Sequence, residues 1–370
     1  MLRRFAVENY KNFKDRTVMD FTAVRNYSFN DQCISNGLLN KVILLGKNGS
    51  GKTNLGLAIF DIVVTLTDNV VYNRQIDPGS YLNGDSTKKY ATFEYEFQDG
   101  DRTIRYIYRK TDPRTISYEE LEVNGKLIFL RDGDKSDYKG LSKINADNLR
   151  MDMDNGALSV VRYINANTVQ NKESPISFIM DFVSHMLYFK SDIEGNGFIG
   201  YGKTGEFIYD YIINNGLTED FKRMLKEYAE VEADLGVVKM PGTPGVFVQK
   251  FRNRQLTFES ISSTGTRVFA LFYYWYKHFG DVRFVYMDEF DAYYHYEMSE
   301  RIVRMVSQME GFQTVFTTHN ISLLRNSLLR PDCCLTIDNG RIRSFSDSTG
   351  RELREGHNLE KMYRNGEFDD

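Results

Sequence analysis

The chain has 370 residues, 41% of them hydrophobic and 14% aromatic, with a formal net charge of −4. That is enough apolar material to bury a large core, as one big domain or two lobes. The charge excludes a non-specific nucleic-acid binder along the whole chain. No apolar run reaches the roughly eighteen residues of a membrane span, and MLRRFAVENYKNF lacks a signal-peptide core, so a cytoplasmic location is expected.

Leu2 to Asn9 and Thr17 to Phe21 read as two strands around the turn Tyr10 to Asp15. The stretch KVILLGKNGSGKTNLGLAIF, Lys41 to Phe60, then joins a buried strand, a glycine loop and a helix start. Gly46, Gly51, Lys52 and Thr53 fit the phosphate-loop pattern, with Lys47, Asn48, Gly49, Ser50 and Asn54 completing the loop and its exit. Glycines let the backbone wrap a polyphosphate, so that N–H groups and the helix N-terminus face its charge. Lys52 would reach the phosphates, and Thr53 offers a hydroxyl to Mg²⁺. Leu55, Ala58, Ile59, Ile62 and Leu66 recur at helical spacing behind it.

Asp77 to Lys89 reads as a loop. Alternation at Phe93, Tyr95 and Phe97, a turn at Gly100, alternation at Ile104, Tyr106 and Tyr108, and Asn124-Gly125 before Leu127 to Leu130 predict an antiparallel sheet. Arg102, Arg105, Arg109, Lys110 and Arg114 cluster there. With Lys250, Arg252 and Arg254 they leave a local nucleic-acid surface open, beside the plainer reading of solvated strand faces. From Ser177 the period becomes helical: Ile179, Phe182, Val183, Met186 and Leu187 suit one helix, and Phe221, Met224, Leu225 and Tyr228 another after Thr218. Val237 to Gly245 reads as a loop and Val246 to Phe258 as a strand-like segment.

Glu259 to Arg267, ESISSTGTR, opens an amphipathic helix carrying Val268, Leu271, Phe272, Trp275 and Phe279. Such a loop suits either an anion site or a plain helix cap. VRFVYMDEFD, Val282 to Asp291, is an apolar strand closed by two carboxylates. Neighbours on a strand point to opposite sides, so Asp288 can serve the Mg²⁺ shell while Glu289 faces the attacking water. Met298, Ile302, Met305, Val306 and Met309 predict a helix, and FQTVFTTHN, Phe312 to Asn320, a strand that delivers His319 as a γ-phosphate sensor. Cys33, Cys333 and Cys334 lack metal-ligand spacing, and the adjacent pair reads as part of a buried strand.

This order of elements resembles the ATPase head of the ATP-binding-cassette type, in its RecF and SMC-like branch. MLRRFAVENYKNFKD, STGTR, DEFDAYYH, TTHN and HNLEKMYRNGEFDD are similar to the bacterial abortive-infection ATPases, including the ATPase of the PARIS phage-defence system. The resemblance implies an α/β P-loop NTPase fold with an antiparallel β subdomain and a helical lobe. It divides a single head into residues 1–165, 166–260 and 261–370. It makes Ser263, Gly265 and Thr266 the signature loop, Asp291 the D-loop residue, His319 the switch histidine and Gln170 a ligand of the metal. Heptads are absent between residues 60 and 260, so no coiled-coil arm is expected.

The resemblance further implies ATP and Mg²⁺ as ligands, ATP hydrolysis that is slow and regulatory, and homodimers or larger homo-oligomers built through composite ATP sites. The chain ends soon after its catalytic motifs, so its effector, a toxin or TOPRIM-like nuclease, is expected to be encoded separately, with a phage protein as trigger. Residues 91–235, with Tyr201, Tyr209 and Tyr211 as exposed aromatics, form the expected contact surface. A RecF-like DNA-repair ATPase and an ATP-holding scaffold are the competing readings.

Overall fold

The computed structural model describes residues 1–67, 78–152, 156–191, 197–201, 207–242 and 244–368. A seven-stranded sheet runs in the order Phe198–Gly200, Met186–Lys190, Phe284–Asp288, Gln313–Thr318, Lys41–Leu45, Cys334–Asp338, Arg341–Ser344. Its five inner strands are parallel, and the two outermost pair antiparallel. Lys41–Leu45 is buried along its full length, as a strand with both faces covered must be. Register aligns Lys190 with Asp288, Met287 with Phe316 and Thr318 with Leu45. Four strand ends therefore deliver their next residues to one edge of the sheet, where ligands of open α/β sheets bind.

A second, antiparallel sheet runs Thr17–Asp20, Leu2–Glu8, Ala91–Asp99, Arg102–Asp112, Thr115–Val123, Lys126–Arg131. Along Ala91–Asp99 the buried residues Phe93, Tyr95 and Phe97 alternate with partly exposed Thr92, Glu94 and Glu96, as a half-buried strand requires. The helices Lys52–Ile59 and Asp61–Leu66 lie between the two sheets. On one side Gly56 packs so closely on Tyr286 and Tyr188 that a Cβ would come within 2.9 Å of the Tyr188 ring. On the other, the Tyr95 hydroxyl donates to the carbonyls of Ala58 at 3.0 Å and Ile59 at 3.2 Å. The expected α/β fold with an antiparallel subdomain holds. A helical lobe follows, built on Ile208–Asn214, Thr218–Ala229 and Thr264–Tyr276, while Pro175–Ser184 packs through Phe178 and Phe182 on Phe97 of the antiparallel sheet. Among the described residues the longest helix has 13 residues, so none of them forms a coiled-coil arm.

Several expectations are corrected. Met186 and Leu187 do not continue the helix of Ile179 and Phe182. That helix ends at Ser184, and Met186–Lys190 is a strand parallel to Phe284–Asp288. A short apolar run suits either element, and here non-local pairing decides. Val237 and Val238 belong to the strand Leu235–Val238, so the loop begins after them. Val246 to Phe258 splits into Val246–Lys250 and Gln255–Thr257, and Phe258 opens a helix. Phe279 and Met309 fall just past the ends of the helices to which spacing assigned them. Cys334 opens a buried strand, whereas Cys333 closes the turn before it. Asp77 lies outside the described residues, and the remainder of its loop holds a short turn, Pro78–Ser80, and a bridge from Leu82 to Tyr10.

Tyr201, Tyr209 and Tyr211 are not an exposed aromatic surface. Tyr201 is buried and donates to Asp281 at 2.7 Å, Tyr209 stacks on Phe247, and Tyr211 meets Tyr274 edge-on. The first basic cluster is largely neutralised. Arg102 pairs with Asp99, Arg105 with Glu94, Glu120 and Glu122, and Arg109 lies over the rings of Tyr90 and Tyr118. Lys110 points inward, 2.9 Å from Asp61, which also accepts from Tyr81 and Tyr108.

Both members of the Lys110–Asp61 pair are almost fully buried. Lys110→Met keeps the volume but leaves Asp61 facing only neutral donors. Removing one partner of a buried pair costs about 3–5 kcal/mol, and chemical denaturation should show a loss of that size. A loss under about 1 kcal/mol would mean that the tyrosine hydroxyls alone hold the carboxylate.

Candidate active site

The phosphate loop turns between Leu45 and Lys52, and its glycines are required by shape. Gly51 sits at φ 105, in the left-handed region, and a Cβ at Gly46 would lie 2.9 Å from the carbonyl oxygen of Ile337. Lys52 is buried, and its Nζ donates to the carbonyls of Gly46 at 2.7 Å and Lys47 at 3.3 Å. It also donates to His319 Nε2 at 3.0 Å. Burial lowers the Lys52 pKa, while the nearby charges of Glu289 and Asp288 work against the shift. Burial and the Lys52 charge both pull His319 down, which keeps its ring neutral and able to accept.

Asp288 is fully buried and is held at both oxygens. Thr53 donates to Oδ2 at 2.8 Å, Tyr188 to Oδ2 at 3.0 Å, and Thr317 to Oδ1 at 2.8 Å. Burial raises its pKa, and these hydroxyls oppose the rise. Glu289 takes a left-handed backbone, φ 47, and its N–H donates to Thr317 Oγ1 at 2.8 Å. This conformation is rare for a non-glycine residue and turns adjacent carboxylates toward different targets. Lys190 Nζ lies 3.0 Å from Glu289 Oε2. Asp291, whose pKa burial also raises, accepts from Thr318 at 2.7 Å.

A small cavity of about 130 Å³ is lined by Asn48, Gly49, Gly51, Lys52, Thr53, Asn54, Glu289 and His319. Sequence-expected residues from three distant segments thus converge. Ser263, Gly265 and Thr266 do not line this cavity. Ser263 caps the helix Thr264–Tyr276, its Oγ accepting from the Thr266 N–H, and Gly265 lies against the carbonyl of Tyr293, two residues past Asp291. The Ser263 loop and the segment after Asp291 are therefore neighbours.

Gln170 is not brought to the site. Its amide donates to the Ile144 carbonyl at 3.0 Å and to Thr168 at 2.6 Å, and accepts from Ser174. It lines a separate cavity of about 510 Å³ beside Arg102, Lys126 and Lys143. Its expected role as a metal ligand is corrected on these grounds. Thr317 and Lys190 were missed. Thr317 was readable, because it stands two before His319 and two-residue spacing puts it on the same strand face. Lys190 had no such signal, since the apolar run before it suits a helix as well as a strand.

The donor set fits a Mg²⁺-bound nucleotide. Ser50 Oγ is buried without a hydrogen-bond partner inside the loop, and the Lys52 ammonium is satisfied only by loop carbonyls and a neutral ring. Thr53 and Asp288 supply two oxygens. Mg²⁺ binds through one or two such groups together with phosphate oxygens and water, so no larger cluster is required. Among the described residues no group of three or more His, Cys, Asp or Glu could hold a metal alone.

A glycine phosphate loop, a hydroxyl-held aspartate, a glutamate beside it and a histidine at the next strand end define a P-loop nucleoside triphosphatase. Residues 41–325, well over half of the chain, match the family described as "AAA domain, putative AbiEii toxin, Type IV TA system", and the chain belongs to that family. No curated protein sequence matches significantly. Similar solved structures include an Smc head bound to the C-winged helix domain of ScpA, at 13% identity over 93% of this chain and 97% of that one, with a TM-score of 0.49. Others are an SMC head domain from Thermotoga maritima, at 14% identity, 93% and 98% coverage and a TM-score of 0.42, and RecF with ATP, at 12%, 93%, 99% and 0.42. No described helix is long and apolar enough to cross a membrane.

Proposed function

We propose that the chain is an ATP-binding and ATP-hydrolysing regulator of an anti-phage system, in which ATP joins two heads and the joined state controls a separately encoded toxin or nuclease. One observation carries the reading. The cavity gathers the phosphate loop, Glu289 and His319, with Asp288 buried behind Thr53, while the Ser263 loop stands apart at a helix N-terminus whose N–H groups suit a phosphate. A second copy of the chain would bring that loop to the cavity. Ile261, Tyr293 and Tyr296 are 40%, 39% and 53% exposed around the same loop and the segment after Asp291, and a second head would cover them. The Type IV toxin–antitoxin description of the family supports a role with a second protein.

In this reading Lys52 and the loop amides hold the phosphates, Thr53 and Asp288 hold Mg²⁺, Glu289 orients the attacking water and His319 reads the γ-phosphate. Ser263→Asp keeps a good helix cap but aims a negative charge at the partner's phosphate. With a non-hydrolysable ATP analogue and Mg²⁺, sedimentation should show dimers or larger assemblies for the wild type and monomers for Ser263→Asp. Identical behaviour of the two proteins would overturn the composite site. Co-expression with the adjacent gene tests the second step, and growth arrest by this chain alone would move the toxic activity into the chain itself. ATPase activity stimulated by DNA with a steep salt dependence would favour the repair-type reading instead.

A further inference from the structure

Lys190 ends the strand beside Phe284–Asp288 and stands opposite Asp288 in the parallel register. Its ammonium lies 3.0 Å from Glu289 Oε2, with both side chains about one-third exposed, 32% and 33%. The backbone after it is fastened on either side of Glu289. The Ser191 N–H donates to the Asp288 carbonyl at 3.2 Å, and the Ser191 hydroxyl to the Phe290 carbonyl at 2.9 Å. Glu289 is equally fixed, by its left-handed backbone and the Thr317 hydroxyl. Of the two partners, the lysine has the long flexible stem.

We propose that Lys190 is a specificity-determining residue for the terminal phosphate, held by Glu289 until a nucleoside triphosphate enters and then transferred to its γ-phosphate. The inference rests on the reading of this cavity as a nucleotide site. An ion pair one-third exposed on both sides is weakly held, so a doubly charged phosphate nearby takes the cation easily. Glu289, its partner at 3.0 Å, lines the cavity, so the Lys190 ammonium stands at the cavity's edge. The exchange leaves Glu289 with a free carboxylate oxygen at the moment when a water needs to be oriented. A diphosphate has no group to take the lysine, so the glutamate stays occupied.

The test is the affinity of the full chain, with Mg²⁺, for ADP and for the β,γ-imido analogue of ATP, in wild type, Lys190→Ala, Lys190→Gln and Lys190→Arg. One charge-assisted hydrogen bond is lost, so Lys190→Ala and Lys190→Gln should bind the imido analogue about tenfold more weakly while ADP affinity changes less than about twofold. Lys190→Arg should restore most of the preference. Equal changes for both nucleotides, or no change for either, would overturn the proposal and leave Lys190 a structural ion pair. The two uncharged variants, Lys190→Ala and Lys190→Gln, guard against one that fails to fold. A wild type that binds neither nucleotide would defeat the nucleotide reading itself, and the proposal with it.

Discussion

Lys52→Ala is expected to weaken binding of Mg²⁺–ATP by about two to four orders of magnitude, measured by calorimetry, while the protein stays folded. The ammonium would meet two phosphates, and each charge-assisted hydrogen bond is worth about 1.5–3 kcal/mol. Its structural role is small by comparison. Without a ligand it donates to the Gly46 and Lys47 carbonyls and to a neutral histidine, at the cost of burial that lowers its own pKa. Alanine leaves those carbonyls short of a donor but also removes a buried charge. The two effects oppose one another, and the net change in stability should be about 1 kcal/mol or less. Thr53, Asp288 and Thr317 keep their hydrogen bonds, so the metal side of the cavity is preserved. A folded variant with wild-type affinity would remove the basis for assigning nucleotide chemistry to this loop.

Legibility in the sequence followed the range of the interactions. The phosphate loop, the carboxylate strand and His319 could be read because each is a local pattern: a buried strand, then chemistry at its end. Their meeting at one edge follows from parallel pairing, which sets Lys190 beside Asp288, Met287 beside Phe316 and Thr318 beside Leu45. Gln170 was sought by its position near the junction of sheet and helical lobe, yet its amide is consumed by Ile144, Thr168 and Ser174. What does stand beside Asp288 is Lys190. Only the pairing of Met186–Lys190 with a strand about one hundred residues later brings it there, and no local period encodes that pairing. The tyrosines misread as exposed show a related limit. Tyr201 buries its ring and satisfies its hydroxyl on Asp281, as a buried tyrosine requires, but composition alone cannot supply the partner. Lys110 is the converse case, a charge in an apparently solvated cluster whose carboxylate, Asp61, lies on a helix almost fifty residues earlier.

Glu289→Gln should lower steady-state ATP turnover by about two to four orders of magnitude, the range for losing a positioned acid–base group, and should leave ATP binding intact. The substitution is nearly isosteric, and the backbone hydrogen bond to Thr317 does not involve the side chain. Phosphate and metal contacts reside on Lys52, Thr53 and Asp288, all untouched. The glutamine also releases Lys190 from its ion pair, so affinity for the triphosphate should rise relative to ADP, a change that Lys190→Ala in the same background abolishes. Because hydrolysis is blocked after binding, the ATP-bound assembly should accumulate. Light scattering with Mg²⁺–ATP should find dimers or larger species for Glu289→Gln, where the wild type returns to monomer as ATP is consumed. Single-turnover measurements separate the effect on chemistry from product release. Turnover at the wild-type rate would deprive Glu289 of its role at the water. A variant that binds ATP, fails to hydrolyse it and remains a monomer would keep the catalytic assignment and exclude the two-headed site.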